Sequence, residues 1–530
     1  MQHSSADLDA SRHAYIVGGG IAGLAAAALL IRDGGMPGER IHVLEQTDRL
    51  GGSLDGAGNA IDGYVIRGGR MFERHFACTF DLFANIPSLT DPDTSVTDEI
   101  HAFTRRIITS SKARLVAAGK KIEAPPLGLN LRNKWRLSTL LSRSEASLAG
   151  VTIEEFFSPG FFETNFWLMW CTMFGFQPWH SVAEMRRYMR RFMHLMPGFN
   201  RLEGIHRTTY NQFDSLILPL TRWLEQQGVN LATEVAVLDL DFSDDSATTA
   251  VTGIVLDDGA DPSRIQVGER DLVFVTLGSM TEDFALGSMT RPPTVELKPD
   301  RGAWALWRNI AKRGESFGRP EIFCGDVPKS SWESFTVTLT DPTFFEFMER
   351  FTGNPAGTGG LVTIKDSTWL MSVVLAYQPH FLNQPADTWV FWGYALHPDR
   401  PGDRVGKPMS ACSGWEILEE LFHHLPVGDT EQRILGSANC VPCMMPYITS
   451  QFMARSRGDR PPVLPAGTSN LAFLGQFCEV PEDTVFTVEY SVRTAQTAVY
   501  GLLGGTREPT AMYRGYLNPA VALRAALAMS

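Results

Sequence analysis

One stretch near the start of the chain, residues 14–45, restricts the possible fold more than any other. It contains a short apolar run, a glycine cluster that begins at Gly18, an alanine-rich segment of helical length and a second apolar run that ends at Glu45. Strand, tight turn, helix and strand in this order make one βαβ unit of a parallel sheet. With this glycine spacing, the unit predicts a dinucleotide-binding fold.

The residues of this fingerprint have separate physical roles. We expect Gly18 to allow the tight turn, and Gly20, followed by Ala22, to bring the backbone close to a pyrophosphate at the helix N-terminus. Gly23 lets the helix and the strand pack closely. Glu45 can accept hydrogen bonds from both ribose hydroxyls of an adenosine. The alternative is an ordinary glycine turn without a nucleotide, which the flanking strand, helix and terminal acid argue against.

The surroundings of the unit favour FAD over NAD. Gly51, Gly52 and Ser53 follow the terminal acid, and many flavoproteins place such a glycine pair where the chain passes the diphosphate. An apolar run at 271–279 and another at 470–477 resemble later flavoprotein strands that end in a turn. The predicted FAD contacts outside the fingerprint are Gly52, Ser53, Arg67, Gly69, Arg70, Ser279, Gln476 and Thr484.

The loop Arg67-Gly68-Gly69-Arg70 has two interpretations. Two glycines flanked by two arginines can hold the backbone close to a flat, negative group. They can also form a turn between two strands with solvated arginines, and the local sequence alone favours this turn.

Composition and charge narrow the classes of partner. The chain has 530 residues, 44% of them hydrophobic, and a net charge of −12. We therefore expect no nucleic-acid binding and at most peripheral membrane contact, and an anionic substrate would need a local basic patch. Seven scattered cysteines favour reduced thiols and a cytoplasmic location. No second cysteine or histidine pair at zinc spacing accompanies Cys440 and Cys443, so no metal site is predicted.

A dense aromatic segment, residues 153–180, precedes a helix predicted over residues 183–193. Such a segment forms either plain core or the wall of an apolar tunnel, and core is the commoner case. The helical spacing places the Tyr188 phenol on the apolar face and the neighbouring arginines largely off it. Tyr188 is therefore either a core tyrosine with a satisfied hydroxyl or a positioned proton donor, and the local pattern favours the first.

The expected architecture is α/β, with a Rossmann-like FAD-binding domain built from discontinuous segments. A mixed α+β substrate domain and a mostly helical lid and C-terminal part complete the prediction. Strands at 234–240, 251–256 and 272–276 are expected to extend the nucleotide-binding sheet. The predicted bounds are 12–145, 205–290 and 436–505 for the FAD-binding domain, 146–204 and 291–435 for the substrate-binding and lid regions, and 506–530 for a short tail.

From about residue 14 to residue 500 the chain resembles the oleate hydratases, FAD-dependent fatty acid hydratases also called myosin-cross-reactive antigens. The motifs that carry the resemblance include Gly-Gly-Ser-Leu-Asp-Gly at 51–56, Arg-Gly-Gly-Arg at 67–70, Glu-Met-Arg-Arg-Tyr at 184–188, Tyr-Asn-Gln at 210–212, Gln-Pro-His at 378–380, Met-Pro-Tyr-Ile-Thr-Ser at 445–450 and Glu-Tyr-Ser-Val-Arg-Thr at 489–494.

The resemblance implies addition of water to the cis double bond of an unsaturated fatty acid, giving the 10-hydroxy acid from oleate. FAD is required, although no net redox change occurs. Tyr188 matches the family tyrosine that is credited with protonating the alkene, and Gln212 and His380 match residues at the substrate carboxylate. The rival interpretation is a flavin oxidoreductase of the amine oxidase or desaturase type, which shares the N-terminal fingerprint.

The chain departs from the family pattern in three places. Met71 stands where most members have the glutamate that activates water, so this role is vacant, is taken by flavin or ordered water, or has moved to Glu73. Val374 and Ala376 replace the usual threonine and asparagine of the carboxylate site, where only His380 remains. The tail after residue 500 is short, and because the longer extension is associated with dimer and membrane contacts, a monomer is expected.

Overall fold

The computed structural model describes residues 12–69, 71–243, 248–257 and 262–529. In chain order, its strands are β1 (Ala14–Val17), β2 (Ile41–Leu44), β3 (Gly56–Asn59), β4 (Gly63–Ile66), β5 (Phe72–Glu73), β6 (Ala113–Ala117), β7 (Lys120–Glu123), β8 (Ile205–His206), β9 (Asn230–Ala232), β10 (Ala236–Phe242), β11 (Val251–Asp257), β12 (Ser263–Gln266), β13 (Leu272–Thr276), β14 (Ala285–Leu286), β15 (Trp332–Leu339), β16 (Val362–Ile364), β17 (Met371–Val374), β18 (Trp389–Ala395), β19 (Ala438–Met445) and β20 (Leu471–Leu474).

The α-helices of these described residues are α1 (Ile21–Arg32), α2 (Ala77–Phe83), α3 (Val96–Arg106), α4 (Leu131–Ser142), α5 (Ile153–Phe156), α6 (Asn165–Phe174), α7 (Val182–Arg191), α8 (Leu218–Gln226), α9 (Gly302–Ala311), α10 (Glu321–Cys324), α11 (Val327–Ser330), α12 (Thr343–Thr352), α13 (Gly414–His424), α14 (Glu431–Ser437), α15 (Val488–Leu503) and α16 (Pro519–Ala528).

A parallel five-stranded sheet, in the order β20-β13-β1-β2-β9, forms the nucleotide-binding part of the molecule. Its strands are short apolar runs buried on both faces, as expected of a parallel sheet covered by helices. Helix α1, which is almost fully buried, packs against α15. The predicted βαβ unit and the predicted α/β class are confirmed.

Two of the strands predicted for this sheet lie elsewhere. The strands predicted at 234–240 and 251–256 do not join the nucleotide-binding sheet, because β10 and β11 pair with β12 in a separate antiparallel sheet of three strands. They are joined by a short connection, and neighbouring strands so connected pair with each other most readily. Only β13 of this group joins the parallel sheet.

An eight-stranded sheet, in the order β14-β19-β15-β18-β17-β16-β6-β7, is the second large layer. Strands β6 and β7, from residues 113–123, and strand β19, from residues 438–445, belong to it, although the predicted domain bounds place them in the FAD-binding part. These strands join the eight-stranded sheet through pairing with strands that are distant in sequence. Strand β19 is antiparallel to β15 along its whole length, and β6 is parallel to β16.

The β3–β4 hairpin joins the two layers. The backbone N–H of Tyr64 donates to Thr338 Oγ1 at 2.8 Å, and the N–H of Ile66 donates to Thr336 Oγ1 at 3.1 Å. The largest apolar cluster lies between the parallel sheet and one face of the eight-stranded sheet, and a smaller cluster lies behind the other face. The candidate site therefore forms where the two layers meet.

Helix α7 carries arginines that are buried in ion pairs. Arg187 lies 2.7 Å from Glu145 and 2.6 Å from Glu479. On the same helix, Glu184 lies 2.8 Å from Arg460. Burial opposes the Glu184 charge, but the surrounding guanidinium groups lower its pKa to about 2. These pairs anchor the helix that bears Tyr188.

No helix in the described part of the chain is long and apolar enough to cross a bilayer.

Candidate cofactor and active site

The N-terminus of α1 opens onto a cavity at the carboxyl edge of the parallel sheet. Gly20 precedes the helix and offers no side-chain cap, so the first N–H groups of the helix are open to an anion. Gly18 has a φ of +102°, and a Cβ at this position would lie 2.9 Å from Thr276. A Cβ at Gly23 would lie 2.1 Å from the Gly18 carbonyl oxygen, so only glycine permits this helix–strand contact.

Glu45 follows β2 and is almost fully buried. Its Oε2 accepts a hydrogen bond from the Gly19 N–H at 2.8 Å, and its Oε1 accepts from the Thr47 N–H at 2.9 Å. Thr47 Oγ1 also donates to Oε1 at 2.8 Å, so the further lone pair lies on Oε2. The carboxylate is thus held in place at the cavity wall and keeps the capacity to accept from ribose hydroxyls.

The cavity measures about 290 Å³. The predicted cofactor contacts that line it are Gly18, Gly20, Ala22, Glu45, Gly52, Ser53, Arg67, Ser279 and Gln476. Gly23 lies behind this wall, in the contact between α1 and β1, and Gly69 and Thr484 are not among the lining residues. Arg70 lies outside the described residues.

Two buried polar atoms in this wall have no hydrogen-bond partner. They are Thr276 Oγ1, at the end of β13, and Arg67 Nε. The Arg67 guanidinium also pairs with Asp55 at 2.9 Å and lies 3.5 Å from the centre of the Phe284 ring. Unpartnered donors beside an uncapped helix N-terminus fit an anionic dinucleotide. Thr276 was not predicted, although its place at the carboxyl end of a parallel strand was a usable signal.

Glu282 is a second lining residue that the sequence analysis missed. Its carboxyl group accepts a hydrogen bond from the Ala303 N–H at 2.7 Å, at the start of α9. Burial raises its pKa to about 8, despite this hydrogen bond. A carboxyl group that is largely protonated at neutral pH adds little negative charge to this wall of the cavity.

Tyr188 is buried on α7 within a ring of aromatic side chains. The closest ring centres are those of Phe174 at 4.8 Å and Phe176 at 5.1 Å, followed by Phe192 at 5.6 Å and Phe452 at 5.7 Å. Its hydroxyl donates to the Val485 carbonyl oxygen. The hydroxyl therefore points into the protein and not to bulk solvent, within apolar surroundings.

One loop links this hydroxyl to the cofactor cavity. Residues 476–487 run from the cavity wall past Val485 to the start of α15. Gln476 fixes the loop, because its Oε1 accepts from the Phe486 N–H and its Nε2 donates to Ser491 Oγ at 2.7 Å. The phenol and the cavity thus share a single structural element.

The aromatic surroundings extend from α6 to β15. Trp170 and Phe174 have ring centres 4.7 Å apart, and Trp332 lies 6.0 Å from Phe486. The indole N–H groups of Trp170, Trp332 and Trp392 are buried without a partner, which is costly in a closed apolar core. The unpartnered donors indicate a region that accepts a ligand or water. The packing of the aromatic rings, taken alone, is also that of an ordinary hydrophobic core.

Glu73 is buried at the end of β5 and is surrounded by basic groups. Its Oε2 accepts from the His75 N–H at 2.9 Å and lies 3.2 Å from His194 Nε2, and Arg191 lies 3.4 Å from Oε1. Burial opposes the charge, but the His194 hydrogen bond and Arg191 lower the Glu73 pKa below its usual range. Met71 is half-buried and packs against the main apolar cluster.

The ligand atoms of Glu73, His75 and His194 lie within 4.8 Å of one another, a spacing that also suits a metal ion. The Arg191 guanidinium already supplies positive charge to this carboxylate, so the geometry favours an ion-pair cluster.

The chain segments that carry Gln212 and His380 are joined by a backbone hydrogen bond. The N–H of Asn211 donates to the His380 carbonyl oxygen at 2.8 Å. Gln212 immediately precedes a π-helical turn, Phe213–Ile217, a conformation that occurs frequently at functional sites. Val374 and Ala376, on the β17 side of the same region, are half-buried and offer no polar side chain. The structure thus brings together the two segments that carry the predicted carboxylate-site residues.

Comparison with known proteins places this amino-acid sequence in a family. The family model described as "MCRA family" matches residues 11–500. An oleate hydratase of Streptococcus pyogenes serotype M49 is 42% identical over 509 residues, which cover 94% of this chain and 86% of that protein. A linoleate hydratase of Lactiplantibacillus plantarum is 34% identical, over 93% of each chain.

Solved structures share the fold at much lower sequence identity. An oxidoreductase from Methanosarcina mazei has a TM-score of 0.52 and 13% identity, covering 92% of this chain and 99% of that one. Cyclohexylamine oxidase from Brevibacterium oxydans has a TM-score of 0.52 and 15% identity, covering 93% and 99%. These matches concern the fold alone. The family match over residues 11–500 and the two hydratases show that this chain belongs to the MCRA family.

Proposed function

We propose that this protein adds water across the cis double bond of unsaturated fatty acids, converting oleate to a 10-hydroxy acid, with FAD bound in the 290 Å³ cavity. The observation that carries the proposal is the 42% identity to an oleate hydratase over 94% of the chain. The buried phenol of Tyr188, linked to the cavity by one loop, supports it.

The residues of the cavity fit FAD. The open N–H groups of α1 and the Arg67 guanidinium would hold the diphosphate, and Glu45 would accept from the adenosine ribose. When bound, the flavin would supply electrostatic stabilisation to the reaction, and Gln476 is one of the lining residues that would hold it. The reaction itself has no net redox change.

Tyr188 is the proposed proton donor. Its O–H bond breaks as the proton bonds to one alkene carbon, and the oxygen of water bonds to the adjacent carbon. A phenol, with an ordinary pKa near 10, is a weak acid for an alkene, so the surroundings must stabilise the developing cation. The faces of the rings around Tyr188 carry negative potential and suit this role.

Water must lose a proton as it attacks. Met71 has no basic atom, so this position cannot accept the proton. Glu73, two residues further along, is the nearest carboxylate on the same loop and is held ionised by His194 and Arg191. We propose that Glu73 receives the proton from water and that the proton returns to the Tyr188 oxygen, which closes the cycle.

The test is incubation of the FAD-loaded protein with oleate under anaerobic conditions, followed by mass spectrometry. Hydration adds the mass of one water molecule and leaves the flavin spectrum without stoichiometric change. Tyr188→Phe keeps the ring packing and removes only the hydroxyl, so we expect turnover to fall by at least about 100-fold while oleate binding stays. Retention of most turnover would overturn the assignment of Tyr188.

A flavin oxidoreductase is the second candidate, since the structures of similar fold include an oxidase. It predicts loss of hydrogen from the substrate and one reduced flavin for each turnover. The same anaerobic experiment separates the two reactions.

A further inference from the structure

Three side chains with metal-binding groups meet at α13, away from the cofactor cavity. They are Glu420 and His424, near the end of this helix, and Asp403, in the loop after β18. The two helical residues are four positions apart and therefore share one face of α13. The ligand atoms of all three residues lie within 4.8 Å of one another. None of them lines the cofactor cavity, so the proposed reaction leaves this cluster without a role.

The imidazole of His424 points into the cluster without making a hydrogen bond there. The residue is 9% exposed, and its Nε2 is shielded from water without a hydrogen-bond partner. This nitrogen lies 3.3 Å from Asp403 Oδ2 and 3.4 Å from Glu420 Oε1. Both separations exceed the length of a charge-assisted hydrogen bond, about 2.7–2.9 Å. A buried nitrogen that faces two carboxylate oxygens and is bonded to neither requires an explanation, and a cation between the three atoms supplies one.

The carboxylate oxygens nearest His424 are held in place and can still coordinate. Among the described residues, Asp403 Oδ2 accepts one hydrogen bond, from the Thr368 N–H at 2.9 Å. Glu420 Oε1 also accepts one, from the Asp403 N–H at 2.7 Å, while Oε2 accepts two further backbone hydrogen bonds from the same loop. A carboxylate oxygen has two lone pairs, so each of the two oxygens near His424 keeps one. The outer hydrogen bonds thus orient the ligands, as they do in metal sites.

The charge of the cluster is not balanced by any cationic side chain. In the described part of the chain, neither Asp403 nor Glu420 forms an ion pair with a lysine or an arginine, and His424 is the basic group next to both. Glu73, by contrast, has Arg191 at 3.4 Å. Two carboxylates and a neutral imidazole carry two negative charges, which one divalent cation would balance.

We propose that Asp403, Glu420 and His424 bind a divalent transition-metal ion, with Zn²⁺ as the best fit. Zinc binds imidazole nitrogen and carboxylate oxygen at about 2.0–2.1 Å in a tetrahedron, in which neighbouring ligand atoms are about 3.3–3.4 Å apart. The two separations measured at His424 have this length. Three protein ligands leave a fourth position, which water can reach because Asp403 is exposed. Mg²⁺ and Ca²⁺ prefer a larger set of oxygen ligands and fit less well.

The ion would join the loop after β18 to α13 and so stabilise the folded protein. Leu418 and Leu421 of this helix pack in the smaller apolar cluster, behind the eight-stranded sheet. The metal site therefore lies on the side of the sheet that faces away from the cofactor layer, and its role is structural.

The experiment removes metal from the full-length, FAD-loaded protein with EDTA and then titrates Zn²⁺ by calorimetry. The wild type should bind one equivalent more than His424→Gln, and its melting temperature should rise with the Zn²⁺ concentration. His424→Gln removes the nitrogen ligand, so we expect affinity at this site to fall by at least about 100-fold, the upper end of the cost of losing an outer-shell partner. Asp403→Asn, at an exposed position, should weaken the same site by at least about 10-fold.

His423→Gln is the matched control, because His423 precedes His424 on α13, is exposed and carries the same side chain. It should bind Zn²⁺ as the wild type does. Unchanged Zn²⁺ binding in His424→Gln, or an equal rise of its melting temperature with Zn²⁺, would overturn the proposal. If this variant does not fold, wild-type affinity in Asp403→Asn would overturn it equally. Displacement of Zn²⁺ by an equimolar amount of Mg²⁺ would contradict a tetrahedral site with an imidazole ligand.

Discussion

Glu73 and Glu282 are both buried carboxyl groups, and their surroundings shift their pKa values in opposite directions. Glu73 has two histidines and Arg191 nearby, which outweigh burial and keep the carboxylate ionised. Glu282 has one backbone N–H as its main support, and burial raises its pKa to about 8. Glu73 is therefore ionised, as a proton acceptor must be. Glu282 is largely protonated at neutral pH, which suits its proposed place in the wall of a diphosphate site.

Glu73→Gln should lower turnover of oleate by about 100-fold or more and change oleate binding by less than threefold. The amide keeps the size of the side chain but cannot accept the proton from water. Steady-state kinetics and stearate binding would separate these effects, with Glu154→Gln, at an exposed position on α5, as the control. Unchanged turnover would show that Glu73 is not the base, and an equal loss of binding would indicate a structural role.

The FAD-free protein should lose stability as pH rises from about 6 to 9 because of Glu282. The folded-state pKa, about 8, lies above the ordinary value of 4.5, so the folded protein binds this proton more tightly than the unfolded chain does. The stabilisation is complete below the ordinary value and is lost as pH rises through about 8.

Glu282→Gln should remove roughly 1–3 kcal/mol of this pH dependence, since one pKa unit corresponds to about 1.4 kcal/mol. Thermal denaturation at several pH values would measure it. Glu296→Gln, at an exposed position, is the control and should follow the wild-type curve. A variant curve that keeps the full wild-type slope would exclude Glu282 as its source.

At the scale of elements, α1 and α14 each contain a glycine, and the two helices use it differently. In α1 the missing side chain of Gly23 lets the helix approach the Gly18 carbonyl, whereas in α14 Gly436 faces open space. Glycine in a helix costs roughly 0.5–1 kcal/mol relative to alanine. In α1 this loss of stability accompanies a close helix–strand contact that only glycine permits. In α14 no contact requires glycine.

Gly23→Ala and Gly436→Ala should therefore change the free energy of unfolding in opposite directions. We expect Gly23→Ala to destabilise the protein by about 1–3 kcal/mol and to release FAD, because its Cβ would lie 2.1 Å from a carbonyl oxygen and the backbone must shift. Gly436→Ala should stabilise the protein by up to about 1 kcal/mol and leave FAD in place. Urea denaturation and the flavin absorbance would measure both. If Gly23→Ala stabilises the protein and leaves FAD in place, as expected of Gly436→Ala, then α1 does not need close packing at Gly23.

The elements that could be predicted from the sequence are those whose signal is local. The βαβ unit and α7 were found because glycine spacing and apolar periodicity specify them within a few tens of residues. The pairing of β19 with β15 joins segments about 100 residues apart, and that of β6 with β16 joins segments about 250 residues apart. No local pattern encodes either pairing.

At the scale of the whole molecule, the cofactor cavity draws on four separated segments of the chain. Its wall combines residues 17–67, 235–237, 276–306 and 475–491. The eight-stranded sheet packs over this region through the β3–β4 hairpin and the main apolar cluster. A cavity shared in this way couples the proposed substrate region to the cofactor, because the loop that carries Val485 contacts both.

The position of β20 at the edge of the parallel sheet has a consequence for biosynthesis. A ribosome completes the first four strands of that sheet long before it reaches residues 471–491, which supply the last strand and the Gln476 wall. A nascent chain that has not yet emerged to this point presents only part of a flavin pocket. Capture of the cofactor should accordingly wait until residues 471–491 have been synthesised and have folded onto the sheet.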